Sequence, residues 1–391
     1  MSEKSGAIKK LLKANMRQYG MIIALVSIMI FFAILTNGIL LQPLNITNLI
    51  LQNSYILILA TGMLLVILTG NIDLSVGSVV AFVGAVAATL MITYEMNFVV
   101  VTILSLLLGA LIGALQGSVI AFFKVPAFIV TLGGMLMFRG LAMVVLGGRS
   151  LAPFPEKFTV ISSGFIPDPF YAATGGYFLT IIIGVVLSAI IVYLMFKERN
   201  SNKAYGLEVL PFSFFMGQMI LLVAALNAFT FVMASYRGIP NIFILLLLLI
   251  VVYTFITSKT IFGRHVYALG GNEKAAALSG VKTDRTMFLV YTNMGFLSAL
   301  SGLVFAARLN AATPKAGQSF ELDAIASCFI GGASASGGVG TIIGAIIGGL
   351  VMGVMNNGMS LVGLGIDWQQ AIKGLVLVLA VLFDIYTKSK N

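Results

Sequence analysis

Five polar residues stand inside or beside long apolar stretches, and they are the residues of this chain best suited to chemistry. Asp73 and Ser75 lie between two apolar runs, and Arg139 lies within another. Glu321 and Asp323 begin a short apolar run. A charge at membrane depth costs about 2.5–3.5 kcal/mol on insertion scales, so each one requires a compensating role. The pattern predicts a polar pathway or gate through a membrane, or alternatively structural pairing of these charges.

The residue types that the chain lacks exclude histidine-based and multi-cysteine metal sites, and no catalytic constellation is present. It has one histidine, His265, and one cysteine, Cys328, so neither a histidine-based metal site nor a multi-cysteine cluster is possible. The glycine-rich run 331–340 lacks the lysine of a phosphate-binding loop and leads into an apolar run, so we interpret it as a turn at the membrane edge. We therefore predict no catalytic residues, no metal and no cofactor held by this chain.

The elements that position these residues are predicted to be membrane-spanning helices. Of the 391 residues, 59% are hydrophobic and only 9% are charged, whereas a soluble domain carries about 25% charged residues. About 20 apolar residues make one crossing, so we predict an all-α polytopic bundle of about 10–12 spans that forms one domain over 1–391. The tenth run is too short to cross and is expected to be broken or re-entrant. The runs are 21–41, 50–69, 76–94, 98–123, 127–147, 173–196, 210–235, 241–258, 287–307, 321–333, 340–358 and 369–386.

The distribution of Lys and Arg predicts that both chain ends are cytoplasmic. Twelve crossings place sixteen of the 23 basic residues inside and five outside, which is the bias typical of cytoplasmic loops. The net charge of +10 is thereby explained by membrane orientation, with lipid and not nucleic acid as the surroundings. Lys373, within the last run, fits structural pairing or a side chain that reaches the membrane surface.

Glycines at four-residue spacing occur in two of the apolar runs. Such a face lets two helix backbones approach closely, either within the bundle or between two copies of the chain. We predict helix packing at Gly109, Gly113, Gly117, Gly340, Gly344 and Gly348.

The cytoplasmic stretch 263–281 is the most distinctive segment. Asn272 can cap a helix that begins at Glu273, whose carboxylate suits a helix N-terminus. A helix of one to two turns is marginal on its own, so we expect it to dock into a groove on a partner, with a solvated connector helix as the alternative. The candidate contact residues are Gly271, Asn272, Glu273, Ala275, Ala276, Ser279 and Gly280.

Several motifs resemble the membrane permease subunits of bacterial monosaccharide ABC importers, the ribose, galactose and xylose permease family. The similar segments are 268–281 (ALGGNEKAAALSGV), 72–78 (IDLSVGS), 125–135 (VPAFIVTLGGM), 321–326 (ELDAIA) and 337–341 (GGVGT). The longer chain, with two apolar segments between 173 and 235, is most similar to the xylose or multiple-sugar type.

The resemblance implies a division of labour in the bacterial cytoplasmic membrane. A second permease protomer, expected to be identical, would complete the path, and cytoplasmic ABC ATPase subunits would dock on 263–281 and bind the ATP and Mg. An extracytoplasmic sugar-binding protein would deliver the cargo. On this reading Ala276→Glu is expected to leave the chain folded and to abolish uptake.

Three alternatives remain open from the sequence. An ion-coupled secondary transporter would use Asp73, Glu321 and Asp323 to relay protons or to bind sodium. A non-transporting scaffold would recruit partners through 263–281. An ABC permease for another small solute, such as a branched-chain amino acid, would share the architecture.

Overall fold

The computed structural model describes residues 16–207 and 209–389, and apart from two isolated bridges its regular structure there is helical. This confirms the predicted all-α class. The basic residues of 1–15 and Lys390, which entered the charge distribution, lie outside the described residues. A π-helix, Thr89–Thr93, directly follows the third helix. In chain order the α-helices are α1 (Met16–Leu35), α2 (Pro43–Leu68), α3 (Val76–Ala88), α4 (Phe98–Ala121), α5 (Ala127–Leu146), α6 (Glu156–Ser163), α7 (Tyr171–Thr174), α8 (Phe178–Ala204), α9 (Phe212–Ala234), α10 (Asn241–Lys259), α11 (Ile261–Gly271), α12 (Glu273–Leu278), α13 (Thr283–Leu309), α14 (Phe320–Ile330), α15 (Ile342–Leu361) and α16 (Ile366–Ser389).

Nine helices of the described residues are long and apolar enough to cross a membrane. They are α2, α3 with its π-helix, α4, α5, α8, α9, α10, α13 and α15. Each of the twelve predicted runs contains a helix, but the apolar part of α1 is short and α14 has only 11 residues. A helix of that length rises about 16 Å, roughly half of the hydrocarbon core, so α14 cannot cross unaided.

The described residues form two compact units. The smaller one contains 41–48 and most of 165–240, and the larger one contains 21–40, 49–164 and 241–389. In the smaller unit, α8 and α9 pack as a hairpin, with the amide of Asn227 donating to the hydroxyl of Ser188 at 2.7 Å. In the larger unit, α2 is the most enclosed candidate span, with 89% of its apolar window buried.

Helices α4 and α13 approach closely through glycines. Gly109 and Gly113 face Gly295, and a Cβ at any of the three would overlap backbone atoms of the opposite helix. Gly117 lies against Tyr291 and Phe288 in the same interface. The small residues therefore set the distance between the two helix axes.

We expect Gly295→Ala to lower the free energy of unfolding by about 1–3 kcal/mol, because the added methyl group overpacks a contact between two backbones. The measurement is thermal unfolding of the purified chain in detergent. Gly140→Ala on α5 is the control, since a Cβ at Gly140 meets nothing within 4 Å. That substitution should leave stability unchanged or raise it slightly through helix propensity. Equal effects of the two substitutions would contradict the packing argument.

The segment between α2 and α3 runs into the bundle as non-helical chain. Asn71 lies 3.6 Å from the sulfur of Met287, near the beginning of α13. Val80, in the first turns of α3, lies instead beside Gly302, near the end of α13. Residues 71–75 therefore rise along α13, and α3 begins only part of the way along it. Non-helical backbone at membrane depth is tolerated where protein encloses it, and Asp73 and Ser75 are buried.

Helix α14 forms a second interruption of the same kind. It packs against α15, where Gly344 and Gly348 face the backbone of Gly331 and Ser327. Residues 331–341 then form the turn between the two helices. The short tenth run of the sequence is therefore a partial helix, and the loop before it lies against the start of α3.

Candidate pathway and coupling sites

A buried polar cluster forms where segment 71–75 enters the bundle. Asp73 is 3% exposed, and its Oδ1 accepts hydrogen bonds from the backbone N–H and the hydroxyl of Ser75 at 2.8 and 2.7 Å. The Ser75 hydroxyl also lies 3.1 Å from Oε1 of Gln116 on α4. Across the described residues, no Lys or Arg forms an ion pair with Asp73. Hydrogen bonds, and not a counter-charge, therefore compensate this carboxylate.

Arg139 fastens the loop that precedes α14. Its Nη1 donates to the carbonyl oxygen of Ala316 at 2.6 Å, and its Nη2 donates to that of Gly317 at 3.2 Å. Gly317 has a φ of +69°, and a Cβ there would overlap the carbonyl oxygen of Gly77 in α3. The carboxylate of Glu321 also lies against Gly77. The N-terminal end of α3 therefore lies against the start of α14 and the loop before it, and Arg139 binds that loop.

Asp323 and Lys373 form a partly buried ion pair between α14 and α16. The Lys373 Nζ lies 3.0 Å from Oδ1 and 3.2 Å from Oδ2 of Asp323, and Asp323 is 3% exposed. The predicted pathway residues therefore fall into three groups: Asp73 with Ser75, Arg139 with Glu321, and Asp323 with Lys373. A pathway or gating role for them stays a prediction.

We expect Lys373→Met to lower the free energy of unfolding by about 2 kcal/mol, because it leaves the buried Asp323 without its counter-charge. The expected loss is below that of a fully buried pair, since the Lys373 side chain is 22% exposed. Thermal unfolding in detergent measures it. The double variant Asp323→Asn with Lys373→Met is the control and should regain most of the loss. A double variant less stable than Lys373→Met alone would contradict this account.

The stretch 263–281 folds as two short helices with side-chain caps. The Thr260 hydroxyl oxygen accepts from the N–H of Gly263 at 3.1 Å at the start of α11. Oδ1 of Asn272 accepts from the N–H of Ala275 at 3.0 Å at the start of α12. Gly280 follows the helix with a φ of +84°, a conformation that favours glycine. The helix predicted after Asn272 is confirmed, and α11 before it is a further helix.

A glycine junction, formed by 68–70, Gly270 and 337–338, connects these short helices to the bundle. A Cβ at Gly270 would overlap the carbonyl oxygen of Leu68 and approach the nitrogen of Gly338. The N–H of Gly338 donates to the Leu68 carbonyl at 2.9 Å. Gly337, with a φ of +81°, lies against Gly70 and Gly270. Three chain segments therefore meet with backbone directly on backbone.

Tyr267 makes a second contact between α11 and the bundle. Its hydroxyl donates to the carbonyl oxygen of Gly340 at 2.7 Å. Burial raises the pKa of the Tyr267 hydroxyl above its usual value, so the group stays protonated and able to donate at neutral pH. The cytoplasmic helix is thus tied to the turn before α15 as well as to the end of α2.

The exposed face of α12 differs in one position from the predicted contact set. Ala276 is only 6% exposed and is buried by its own chain, so it is removed from the face that a partner can reach. The Ala276→Glu substitution would place a charge in that buried position, and a loss of uptake would no longer report docking. Leu278 is 91% exposed, which is a large apolar side chain in full contact with solvent. Gly271, Asn272, Glu273, Ala275, Ser279 and Gly280 are exposed.

Sequence reasoning missed Gln116, Gly270, Tyr267 and Leu278 as site residues. Gln116 carries no local motif, and its buried Nε2 has no hydrogen-bond partner among the described residues. Gly270 and Gly271 look alike in sequence, yet only the first touches another segment. Leu278 was read as a helix former, although its place beside four small or polar residues was a usable signal.

The fold agrees with the comparisons to known proteins. Residues 45–381 match the family described as branched-chain amino acid transport system / permease component. The chain is 39% identical to the xylose transport system permease protein XylH of Haemophilus influenzae, over 97% of this chain and 99% of that protein. It is 38% identical to XylH of Escherichia coli K12, over 99% and 96%, and 36% identical to the ribose import permease protein RbsC of Bacillus subtilis, over 94% and 93%. No solved structure matches it.

The chain belongs to this family of transport-system permease components. The resemblance given by the sequence motifs is therefore confirmed. With nine helices in its described part that can cross a membrane, it is a multi-pass permease of the cytoplasmic membrane.

Proposed function

We propose that this permease passes a monosaccharide, xylose or a related pentose or aldohexose, in an ATP-driven importer. The observation that carries the proposal is the identity of 38–39% to two proteins named as xylose transport permeases, over nearly the full length of each chain. The ribose import permease is also similar over nearly the full length, which supports the broader class of monosaccharides.

The glycine junction supplies a mechanism for coupling. A cytoplasmic ATPase that closes on ATP would push α11 and α12. Both helices are short, so the displacement would pass to the segments that they contact. Gly270 would transmit the displacement to Leu68 and Gly338. Leu68 leads into the buried segment 71–75, and Gly338 lies in the turn between α14 and α15. Segment 71–75 and the turn between α14 and α15 would thus move together and change the side of the membrane to which the path opens.

The partners follow from what the chain lacks. Its sequence contains no phosphate-binding loop, so ATP and Mg would bind to separate ABC ATPase subunits. A second, identical permease protomer would complete the path, and an extracytoplasmic binding protein would select and deliver the sugar. This chain would itself hold no cofactor.

The test is uptake of labelled xylose by cells that express the whole system and lack ATP synthase. In these cells a protonophore removes the ion gradient while glycolysis still supplies ATP. Uptake that survives the protonophore and stops on ATP depletion is the expected result. Uptake that collapses with the gradient would instead identify an ion-coupled carrier, for which Asp73 would be the first residue to replace.

A branched-chain amino acid is the second candidate cargo, because the family description names that solute class. The same cells, given labelled leucine, ribose and glucose beside xylose, distinguish the two. ATP-dependent uptake of leucine but of no sugar would replace the proposed cargo. The absence of flux for every solute would favour a scaffold that recruits cytoplasmic partners.

A further inference from the structure

A cavity of about 320 Å³ lies beside the start of α14, between that helix, α2 and α16. Its lining includes Tyr55, Phe320, Gln370 and the ion pair of Asp323 with Lys373. Small-molecule sites of proteins measure about 300–1,000 Å³, and this cavity is near the lower limit. The volume therefore suits one small solute.

One wall of the cavity is aromatic. The rings of Tyr55 and Phe320 are stacked, with centroids 4.0 Å apart and planes 25° apart. Phe305 packs edge-on against both, at 5.3 and 5.0 Å. Aromatic surface of this kind can receive the C–H face of a sugar ring, because equatorial hydroxyl groups point outward near the ring plane and leave that face apolar.

Part of the lining is polar. Gln369 and Gln370 on α16 line the cavity together with Gln318. The NH2 group of a glutamine side chain donates and its carbonyl oxygen accepts, so one amide can bond to sugar hydroxyls in both directions. Gln369 uses its nitrogen on Ser360 and on the carbonyl of Leu364, which leaves its oxygen as the acceptor toward a ligand.

The charges in the lining favour a neutral solute. Lys373 and Asp323 are 3.0 Å apart and compensate each other. A free ion or a zwitterion would have to break that pair to be bound, whereas a hydroxyl group can donate to the carboxylate or accept from the ammonium while the pair persists.

A second cavity of about 230 Å³ shares Tyr55 with the first. Its lining includes Gln52, Ser54 and Arg308. The Nε of Arg308 is buried and has no hydrogen-bond partner among the described residues. Tyr55 therefore lines two cavities within one unit of the chain.

We propose that the cavity between α2, α14 and α16 is the monosaccharide-binding site of the permease, with Tyr55 and Phe320 against the sugar ring and the glutamines and the Asp323–Lys373 pair on its hydroxyls. This rests on the proposed function and assigns it to particular residues.

The experiment fills the cavity in the full permease, reconstituted with its ATPase and its binding protein in proteoliposomes. Gly374 lines the cavity, and a Cβ there meets nothing within 4 Å, so Gly374→Phe adds a ring at a lining position whose Cβ has room. We expect xylose uptake to fall at least about tenfold. Gly217→Phe is the matched control, because Gly217 is also an exposed helix glycine with open space at its Cβ and lies outside the lining.

A second variant separates recognition from a general loss of function. Gln370→Leu removes one exposed amide, and we expect it to change the ratio of xylose to ribose uptake by about threefold to tenfold. A purely structural lesion would lower both sugars by the same factor. Basal ATP hydrolysis by the complex should stay unchanged in the control Gly217→Phe, which lies outside the lining.

The outcomes are distinct. Wild-type import of xylose with loss in Gly374→Phe, retention in Gly217→Phe and a changed ratio in Gln370→Leu supports the site. Wild-type import that Gly374→Phe and Gln370→Leu leave unchanged overturns the site but not the proposed function. A wild-type complex that imports no monosaccharide overturns both.

Discussion

We expect Gly270→Ala to reduce ATP-driven uptake by about tenfold to one hundredfold while the permease stays inserted and folded. The added methyl group would occupy the space of the Leu68 carbonyl oxygen and press on the nitrogen of Gly338. Both neighbours are backbone atoms, which cannot turn aside as a side chain can. Overpacking typically costs about 1–3 kcal/mol, and each 1.4 kcal/mol is a factor of ten.

The adjacent glycine provides the control for this substitution. A Cβ at Gly271 meets nothing within 4 Å, so Gly271→Ala should keep wild-type uptake. Uptake and ATP hydrolysis are measured together in proteoliposomes. Transmission through the glycine junction predicts that Gly270→Ala hydrolyses ATP but moves little solute. If Gly270→Ala and Gly271→Ala had equal uptake, the junction would not transmit the movement.

We expect Leu278→Asp to weaken docking of the ATPase by about tenfold to one hundredfold and to reduce uptake in the same proportion. Leu278 is 91% exposed, so its own chain gains almost nothing from this side chain. Burial of a leucine against a partner contributes about 1.5–3 kcal/mol, which the aspartate would forfeit. Co-purification of the ATPase with the permease measures docking, and thermal unfolding of the permease alone should be unchanged.

Leu207→Asp is the control for an exposed leucine in another loop. Leu207 is 58% exposed and lies between α8 and α9, in a segment that the charge bias also places in the cytoplasm. It should bind the ATPase as the wild type does. Equal retention of the ATPase by the Leu278 and Leu207 variants would remove α12 as the docking element.

The features that were predicted from the sequence are local ones. Every apolar run contains a helix because hydropathy and hydrogen-bond satisfaction in a membrane act on neighbouring residues. The cap at Asn272 and the end of α12 at Gly280 involve residues a few positions apart. Even the short α14 was indicated by the length of its apolar run.

The features that were not predicted depend on residues distant in the chain. Whether Gly270 or Gly271 is enclosed is decided by Leu68 and Gly338, which no local pattern identifies. The burial of Ala276 is likewise set by packing and not by its own segment. The partner of Ser75 on α4, Gln116, is 41 positions away. Only the packed structure shows what each of these residues touches.

The glycine junction also determines when, during synthesis, α11 and α12 become attached to the bundle. Tyr267 bonds to a carbonyl 73 positions later in the chain, and the Leu68 carbonyl receives the N–H of Gly338. Until the ribosome has made residues 338–340, α11 lacks the Tyr267 bond and the end of α2 lacks the bond from Gly338. Long-range contacts of this kind form late. A nascent or truncated permease therefore lacks the bonds that tie α11 and the end of α2 to the turn before α15.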